Sequence, residues 1–206
     1  MRKIITAVMA VILCTAIVSA QTMKQKASFG FKVGANVSSF RTAVDYQDFE
    51  ANLKLGQVYG AFVQIPVSAK FYIQPEFLYS QLGAKAKSNL WGDVTFRYNY
   101  FSVPVHIKYK VVKSFNVFAG ADFNVLLRAR QKQVYETSTI TYDVNDFDFC
   151  YTAGLGTSAK KWTFDARYIH GSKDVSARPD KTTFFNQAVQ FTVGYKMQHK
   201  TRKAKK

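Results

Sequence analysis

Apolar and polar residues alternate, one residue in two, along most of this chain from about position 28 onward. Alternation of this period is typical of β-strands that have one apolar face. No stretch offers a helix start, an amphipathic run and a helix stop in order. The pattern predicts eight strands, at residues 29–38, 57–66, 71–84, 96–110, 114–130, 144–158, 161–171 and 187–196.

The connections between these predicted strands alternate in length. Three are very short, at residues 67–70, 111–113 and 159–160. The other four are long and polar, at residues 39–56, 85–95, 131–143 and 172–186. Short periplasmic turns at one end and long external loops at the other are typical of a transmembrane β-barrel. An even number of strands also places both ends of the barrel on the short-turn side.

One face of each predicted strand carries no charge, as in Phe101, Val103, Val105 and Ile107 of the fourth strand. The opposite face is polar and carries Lys32, Asn36, Gln64, Gln74, Glu76, His106, Lys108, Asp122, Asn124, Arg128, Asp148, Asp165, Arg167 and Gln190. A soluble barrel with these faces would need a core built mainly of large aromatic residues. In lipid the faces invert, and the sheet must close because open edges cannot be satisfied in hydrocarbon. The sequence therefore predicts an all-β fold, an eight-stranded antiparallel transmembrane β-barrel.

The first twenty residues have the features of a secretory signal. Arg2 and Lys3 precede a largely apolar run, and Ala20 ends a motif of small or compact residues before Gln21. The run is too short to span a bilayer as a helix. We predict a signal peptide at 1–20 cleaved after about Ala20, a short lead at 21–28, the barrel at 29–196 and a basic tail at 197–206.

Charge and cysteine content narrow the function classes. The formal net charge is +16, but an exported protein rarely meets nucleic acid, and six of the basic residues crowd the last eleven positions. We read this tail as solvated, or as touching anionic lipid or cell wall. Cys150 is the only thiol after the signal, which excludes an intrachain disulfide and a cysteine zinc site.

Several strings, taken together in order and spacing, resemble a known family. They are GAFVQIPVSAKFYIQPEFLYSQLGAK at 60–85, YFSVPVHIKYKV at 100–111, FNVFAGADFNVLL at 115–127, YTAGLGTSAKKWTFDARYIHG at 151–171 and QFTVGYK at 190–196. They are similar to the PorT-like small outer-membrane β-barrel protein family, over about residues 29–196. The resemblance implies an eight-stranded barrel without a known catalytic role, and some members are linked to protein secretion. The basic tail beyond Tyr195 departs from the family, whose barrels usually end at an aromatic residue.

The charged residues of the polar face are the first candidates for a functional site. A barrel of eight strands is just wide enough to be filled by side chains, so these charges must pair. We predict a luminal polar network of Glu76, Lys108, Asp122, Arg128, Asp148, Asp165 and Arg167. A plugged, rigid interior is the favoured interpretation, and a narrow conducting path is the alternative.

Aromatic residues gather near the short turns. We predict a periplasmic aromatic girdle of Phe71, Tyr109, Phe115, Trp162 and Tyr195 at the membrane interface. A histidine and a serine, His170 and Ser172, also resemble the base and nucleophile of some outer-membrane lipid deacylases, although no carboxylate is placed to orient the histidine. We therefore favour an interfacial histidine over an esterase.

Basic residues also ring the predicted loop side: Lys85, Lys87, Arg97, Arg130, Lys132, Lys173, Arg178 and Lys181. They would be attracted to phosphorylated lipid or would simply be solvated. Trp91 and the pair Phe184 and Phe185 are candidates to contact a partner at the loop tips. No phosphate-binding glycine loop, metal-ligand spacing or dinucleotide motif is present, so we expect no cofactor and no metal.

The expected function follows from these features. We predict a non-enzymatic integral protein of the cell outer membrane with a structural or interaction role and a link to secretion that the resemblance implies. A narrow porin-like channel for small solutes is the second hypothesis, and an outer-membrane lipid esterase is the third. Expected partners are outer-membrane lipid including lipopolysaccharide, the outer-membrane assembly machinery, and other envelope or secretion proteins.

Overall fold

A closed antiparallel sheet of eight long strands forms the body of the protein. The computed structural model describes residues 27–42, 50–88, 92–132, 137–140, 144–176 and 183–197. The long strands are β1 (Ser28–Thr42), β3 (Lys54–Pro66), β4 (Phe71–Leu82), β6 (Gly92–Lys110), β7 (Phe115–Lys132), β9 (Phe147–Ala159), β10 (Trp162–Gly171) and β11 (Phe184–Met197). Each pairs with its neighbour in the chain, and β1 pairs with both β3 and β11, which closes the barrel. The predicted fold class is confirmed.

Three short strands lie in segments that the sequence predicted as loops. They are β2 (Glu50–Asn52), β5 (Lys85–Ser88) and β8 (Thr137–Ile140). β5 pairs with β2 and β6, and β8 pairs with β7. The long connections thus continue the sheet in part, because extended ladders satisfy backbone N–H and C=O groups beyond the barrel. For the same reason, at the end of the barrel that carries the long connections, five of the long strands extend past their predicted bounds: β1, β3, β6, β7 and β11.

The two ends of the barrel differ as predicted. At the turn end, defined by the connections at 67–70, 111–114 and 160–161, Val67 N donates to Phe71 O at 2.9 Å and Val111 N donates to Phe115 O at 3.1 Å. Lys160 adopts the left-handed conformation, with φ 55°, in the two-residue turn between β9 and β10, where hairpins favour it. The opposite end, which carries β2, β5 and β8, is called the loop end below.

The outer surface of the barrel is apolar over much of each long strand. Phe31 is 55% exposed, Ile107 is 60% exposed and Phe191 is 53% exposed. This apolar band begins at the turn end and runs to Val37 on β1, Tyr59 on β3, Phe101 on β6 and Leu127 on β7, where the next outward residues are polar; on β3 the exposed Leu55 follows beyond Gln57. A band of this height matches a transmembrane barrel. Within the described residues, no helix is long and apolar enough to cross a membrane.

The predicted termini lie mostly outside the described residues. The structure does not describe the signal peptide at 1–20 or most of the lead at 21–28, so both remain predictions. Of the predicted tail at 197–206, only Met197 is described, and it ends β11.

Candidate functional site: the interior of the barrel

The polar face of the sheet points into the barrel and is buried there. Glu76 on β4, Lys108 on β6, Asp122 on β7 and Arg167 on β10 are each at most 5% exposed. The register of the strands sets where these side chains lie, with Phe62 opposite Glu76 and Arg167 opposite Gln190. Charges in such a space must find partners, since isolated charges lose the solvation of water.

Glu76 is the centre of the network. Its Oε1 lies 2.6 Å from Lys32 Nζ, and its Oε2 accepts from Arg167 Nη1 at 3.2 Å. Gln74 Nε2 also donates to Oε1, at 2.6 Å. A carboxylate with two cations and an amide donor has most of its hydrogen-bonding capacity filled.

Asp165 joins the same network from β10. Lys108 Nζ donates to its Oδ1 at 3.0 Å, and Lys32 Nζ lies 3.3 Å from its Oδ2. Lys32 therefore bridges Asp165 and Glu76. Lys32 was expected on the polar face but was not counted in the predicted network, and no pattern along one strand shows that it reaches two carboxylates.

Arg167, His106 and Asp122 continue the network toward the loop end. Arg167 Nη2 lies 3.8 Å from Asp122 Oδ2, and His106 Nε2 lies 2.9 Å from Thr152 Oγ1. Thr152 Oγ1 in turn donates to Asp122 Oδ1 at 3.3 Å. Three cations, Lys32, Lys108 and Arg167, thus face three carboxylates.

Asp148 is buried, 1% exposed, but stands apart from these ion pairs. Its Oδ2 accepts from Asn186 Nδ2 at 2.8 Å, and Cys150 Sγ donates to it at 3.4 Å. Among the described residues no lysine or arginine pairs with it. The predicted network therefore divides into an ion-pair cluster and a separate polar group around Asp148 that also includes Tyr100, whose hydroxyl accepts from Asn186 at 3.2 Å.

Arg128 does not belong to the interior, and its prediction was wrong. The register between β6 and β7 shifts between Asn99 and Tyr100, because Tyr100 pairs with Leu126 whereas Asn99 pairs with Arg128. Leu127 is the extra residue of this β-bulge. A bulge reverses the alternation beyond it, so Ala129 points inward, at 2% exposure, and Arg128 is exposed at the outer surface.

An apolar cluster fills the interior at the loop end, and we call it the apolar cap. Its members are Phe40, Leu82, Ala84, Tyr98, Tyr100, Ala129, Val144, Cys150, Ile169, Val175 and Ala188. Phe40 lies at its centre, with its ring 5.5 Å from that of Tyr98 and 5.9 Å from that of Phe184. The alternation pattern did not predict this cap, although apolar residues at inward positions near the ends of the strands were a signal for it.

The residues of the predicted girdle lie at the turn end with their rings outward. Trp162 is 50% exposed and Phe71 is 45% exposed. The rings of Trp162 and Tyr195 are 5.2 Å apart, and those of Phe71 and Tyr109 are 5.0 Å apart. Phe115 is 37% exposed at the same end. Four of the five side chains thus form two aromatic pairs at one edge of the apolar band, and the role of the five as a membrane-interface girdle stays a prediction.

The candidate residues at the loop end have different surroundings. Ser172 Oγ donates to Phe149 O at 2.9 Å, which commits the hydroxyl to the backbone, while the His170 ring lies 6.1 Å from that of Tyr168. Phe184 lies in β11 and packs against the apolar cap, and contact of Phe184 and Phe185 with a partner stays a prediction. Trp91, Arg178 and Lys181 lie outside the described residues. Within the described part, no group of three or more potential ligands could hold a metal ion.

Comparisons with known proteins agree with this architecture. A family model described as "Outer membrane protein beta-barrel domain" matches residues 19–177. The chain is similar in structure to Neisserial surface protein A, at 11% identity over 84% of this chain and 100% of that chain, with a TM-score of 0.56. It is also similar to Ail of Yersinia pestis, at 12% identity over 84% of this chain and 100% of that chain, with a TM-score of 0.46. A search of curated protein sequences found no match.

Proposed function

Because the chain belongs to the outer membrane protein beta-barrel domain family, we propose that it is an integral outer-membrane barrel with a closed interior. Its role is structural or one of interaction at the cell surface, without catalysis and without conduction. The sheet that extends beyond the membrane at the loop end, with β2, β5 and β8, would present the interacting surface.

The observation that carries this proposal is that two layers fill the interior, the ion-pair cluster and the apolar cap. Near the middle of the barrel, Glu76 and Arg167 hold each other at 3.2 Å across the lumen from β4 and β10. Nearer the loop end, Phe40 and Tyr98 are 6% and 7% exposed within the apolar cap. An ion path would have to break buried ion pairs, at about 3–5 kcal/mol for each partner lost, and would then have to cross an apolar layer.

Planar-bilayer recording tests the closed interior against the narrow channel. The folded protein is added to a bilayer after its heat-modifiable gel mobility and its circular dichroism have shown an intact barrel. We expect no conductance steps. Discrete steps that disappear when the same preparation is boiled would contradict the proposal and favour the channel.

A fatty-acid release assay tests the esterase hypothesis. We expect no release by the wild-type protein, because Ser172 Oγ donates to Phe149 O. Release that is lost in both His170→Ala and Ser172→Ala would overturn the non-catalytic role. Release that both variants retain would point to a contaminating enzyme, and the proposal would stand.

The link to secretion rests on the resemblance to the PorT-like family alone. If the barrel serves secretion, deletion of its gene should leave exported proteins in the periplasm, and re-expression should restore their release. An unchanged set of released proteins in the deletion strain would remove this link. Assembly machinery and other envelope proteins are expected partners on the same basis, and crosslinking in intact cells would identify them.

A further inference from the structure

The β-bulge at Leu127 brings basic residues to the outer surface of the barrel. Beyond it, Arg128 and Arg130 of β7 lie opposite Asn99 and Arg97 of β6. The following pair is Lys132 and Thr95, and Thr95 also pairs with Lys85 of β5. We call this set the basic strip; it consists of Lys85, Arg97, Arg128, Arg130 and Lys132.

The strip concentrates like charges, and none of the ion pairs that the structure describes includes them. Arg97 and Arg130 are direct cross-strand partners, an arrangement that is destabilising for like charges. Among the residues whose side chains the structure describes, no carboxylate forms an ion pair with either arginine. By contrast, Arg41 elsewhere at the loop end donates to Gly171 O at 3.2 Å and stacks over Phe185 at 5.0 Å.

The pKa of Lys54 reflects the positive potential of the strip. It lies behind the strip at the start of β3, beyond the apolar band, with its side chain turned inward. The pKa of Lys54 is lowered to about 8 by burial in the first place and then by Arg97 and Lys85. A bound anion would relieve the repulsion that these three residues share.

The strip begins where the apolar band ends. Leu127, 59% exposed, is the last apolar outward residue of β7, and Arg128 follows it directly. From Arg128 to Lys132 the strand advances by about 13 Å, which a tilt of about 45° reduces to about 9 Å of height. The polar layer of a leaflet is about 5–8 Å thick, so the strip crosses the level of the lipid headgroups.

From this geometry we propose that the basic strip binds the phosphate groups of lipids in the outer leaflet. Guanidinium groups suit this partner because they pair with phosphate oxygens through two parallel hydrogen bonds. A lipid phosphate is favoured over a soluble one because the acyl chains of the same molecule would lie against the apolar band just below Arg128. The inference goes beyond the closed barrel proposed above, which does not depend on it.

The test compares binding of lipids to the folded, full-length protein in a neutral detergent. The probes are phosphorylated lipid A, the same lipid with its phosphates removed, and free inorganic pyrophosphate. The test variant is Arg97→Gln with Arg130→Gln, and Arg128→Gln alone serves as a second variant. The matched control, Lys70→Gln with Lys113→Gln, removes two exposed charges at the turn end. Heat-modifiable mobility verifies that every variant is folded.

We expect the wild-type protein to bind phosphorylated lipid A at least tenfold more tightly than the dephosphorylated lipid. The double arginine variant should lose roughly tenfold or more of this affinity, because two charges near the lipid surface are removed, and the lysine control should stay within about twofold of the wild type. Added salt should narrow the difference. An equal loss in the control, equal binding of the dephosphorylated lipid, or free pyrophosphate binding as tightly as the lipid would each overturn the proposal.

Discussion

Replacement of Glu76 by glutamine tests whether buried charge pairing stabilises this barrel. The substitution keeps the volume of the side chain and removes its charge. Lys32 Nζ, at 2.6 Å, and Arg167 Nη1, at 3.2 Å, would then face an amide in place of a carboxylate. The cluster would retain three cations against two carboxylates, Asp122 and Asp165.

The expected loss is large because the site is buried. Removing one partner of a buried ion pair costs about 3–5 kcal/mol, and Glu76 is 1% exposed. Asp148→Asn supplies a matched control at 1% exposure. Asp148 pairs with no described lysine or arginine, and an amide oxygen can still accept from Asn186, so its loss should stay near 1 kcal/mol, the typical net worth of a neutral hydrogen bond.

Reversible unfolding in urea, with the protein folded into lipid vesicles and followed by tryptophan fluorescence, gives the free energies of unfolding. Adding Lys32→Met to the Glu76→Gln variant should recover part of the loss, because it restores the balance of charge. The reasoning is refuted if Glu76→Gln lowers the free energy of unfolding no more than Asp148→Asn does. It is also refuted if Lys32→Met lowers the free energy of unfolding of the Glu76→Gln variant by as much as it lowers that of the wild type.

Three other predictions concern the ends of the barrel. The pKa of Lys54 is lowered from 10.5 to about 8, so the unfolded chain binds more protons than the folded chain between these two pH values. The free energy of unfolding of the wild type should therefore rise with pH across this window, and that of Lys54→Met should not. Equal pH profiles of the two proteins would contradict this. Deletion of Leu127, the extra residue of the bulge, should keep Arg128 outward and Ala129 inward and retain the heat-modifiable folded band, whereas deletion of Ala129 should turn Arg130 into the apolar cap and abolish the band; the opposite result in either variant would contradict this. In a Trp91→Phe background, Trp162 fluorescence should be quenched more by lipids brominated near the headgroup than by lipids brominated deep in the chain, and the reverse order would refute the girdle.

The period of the sequence by itself determined the strands and their two faces. Alternation depends only on the geometry of one strand, in which successive side chains point to opposite sides. Glu76, Lys108 and Asp165 could therefore be placed inside the barrel, and Phe71 and Trp162 outside it, without knowledge of the partner strands. The lengths of the connections likewise indicated which strands meet in short turns.

Only the tertiary structure decided how the strands are paired and which interior groups meet. The bulge at Leu127 is a mismatch between β6 and β7, so no pattern within β7 alone reveals that Arg128 turns outward. Lys32 bridges Glu76 and Asp165 because closure of the barrel brings β1, β4 and β10 around one space. Asp148 lies apart because its height in the barrel is set by register. Register and closure are relations between distant segments, whereas alternation is a property of each segment.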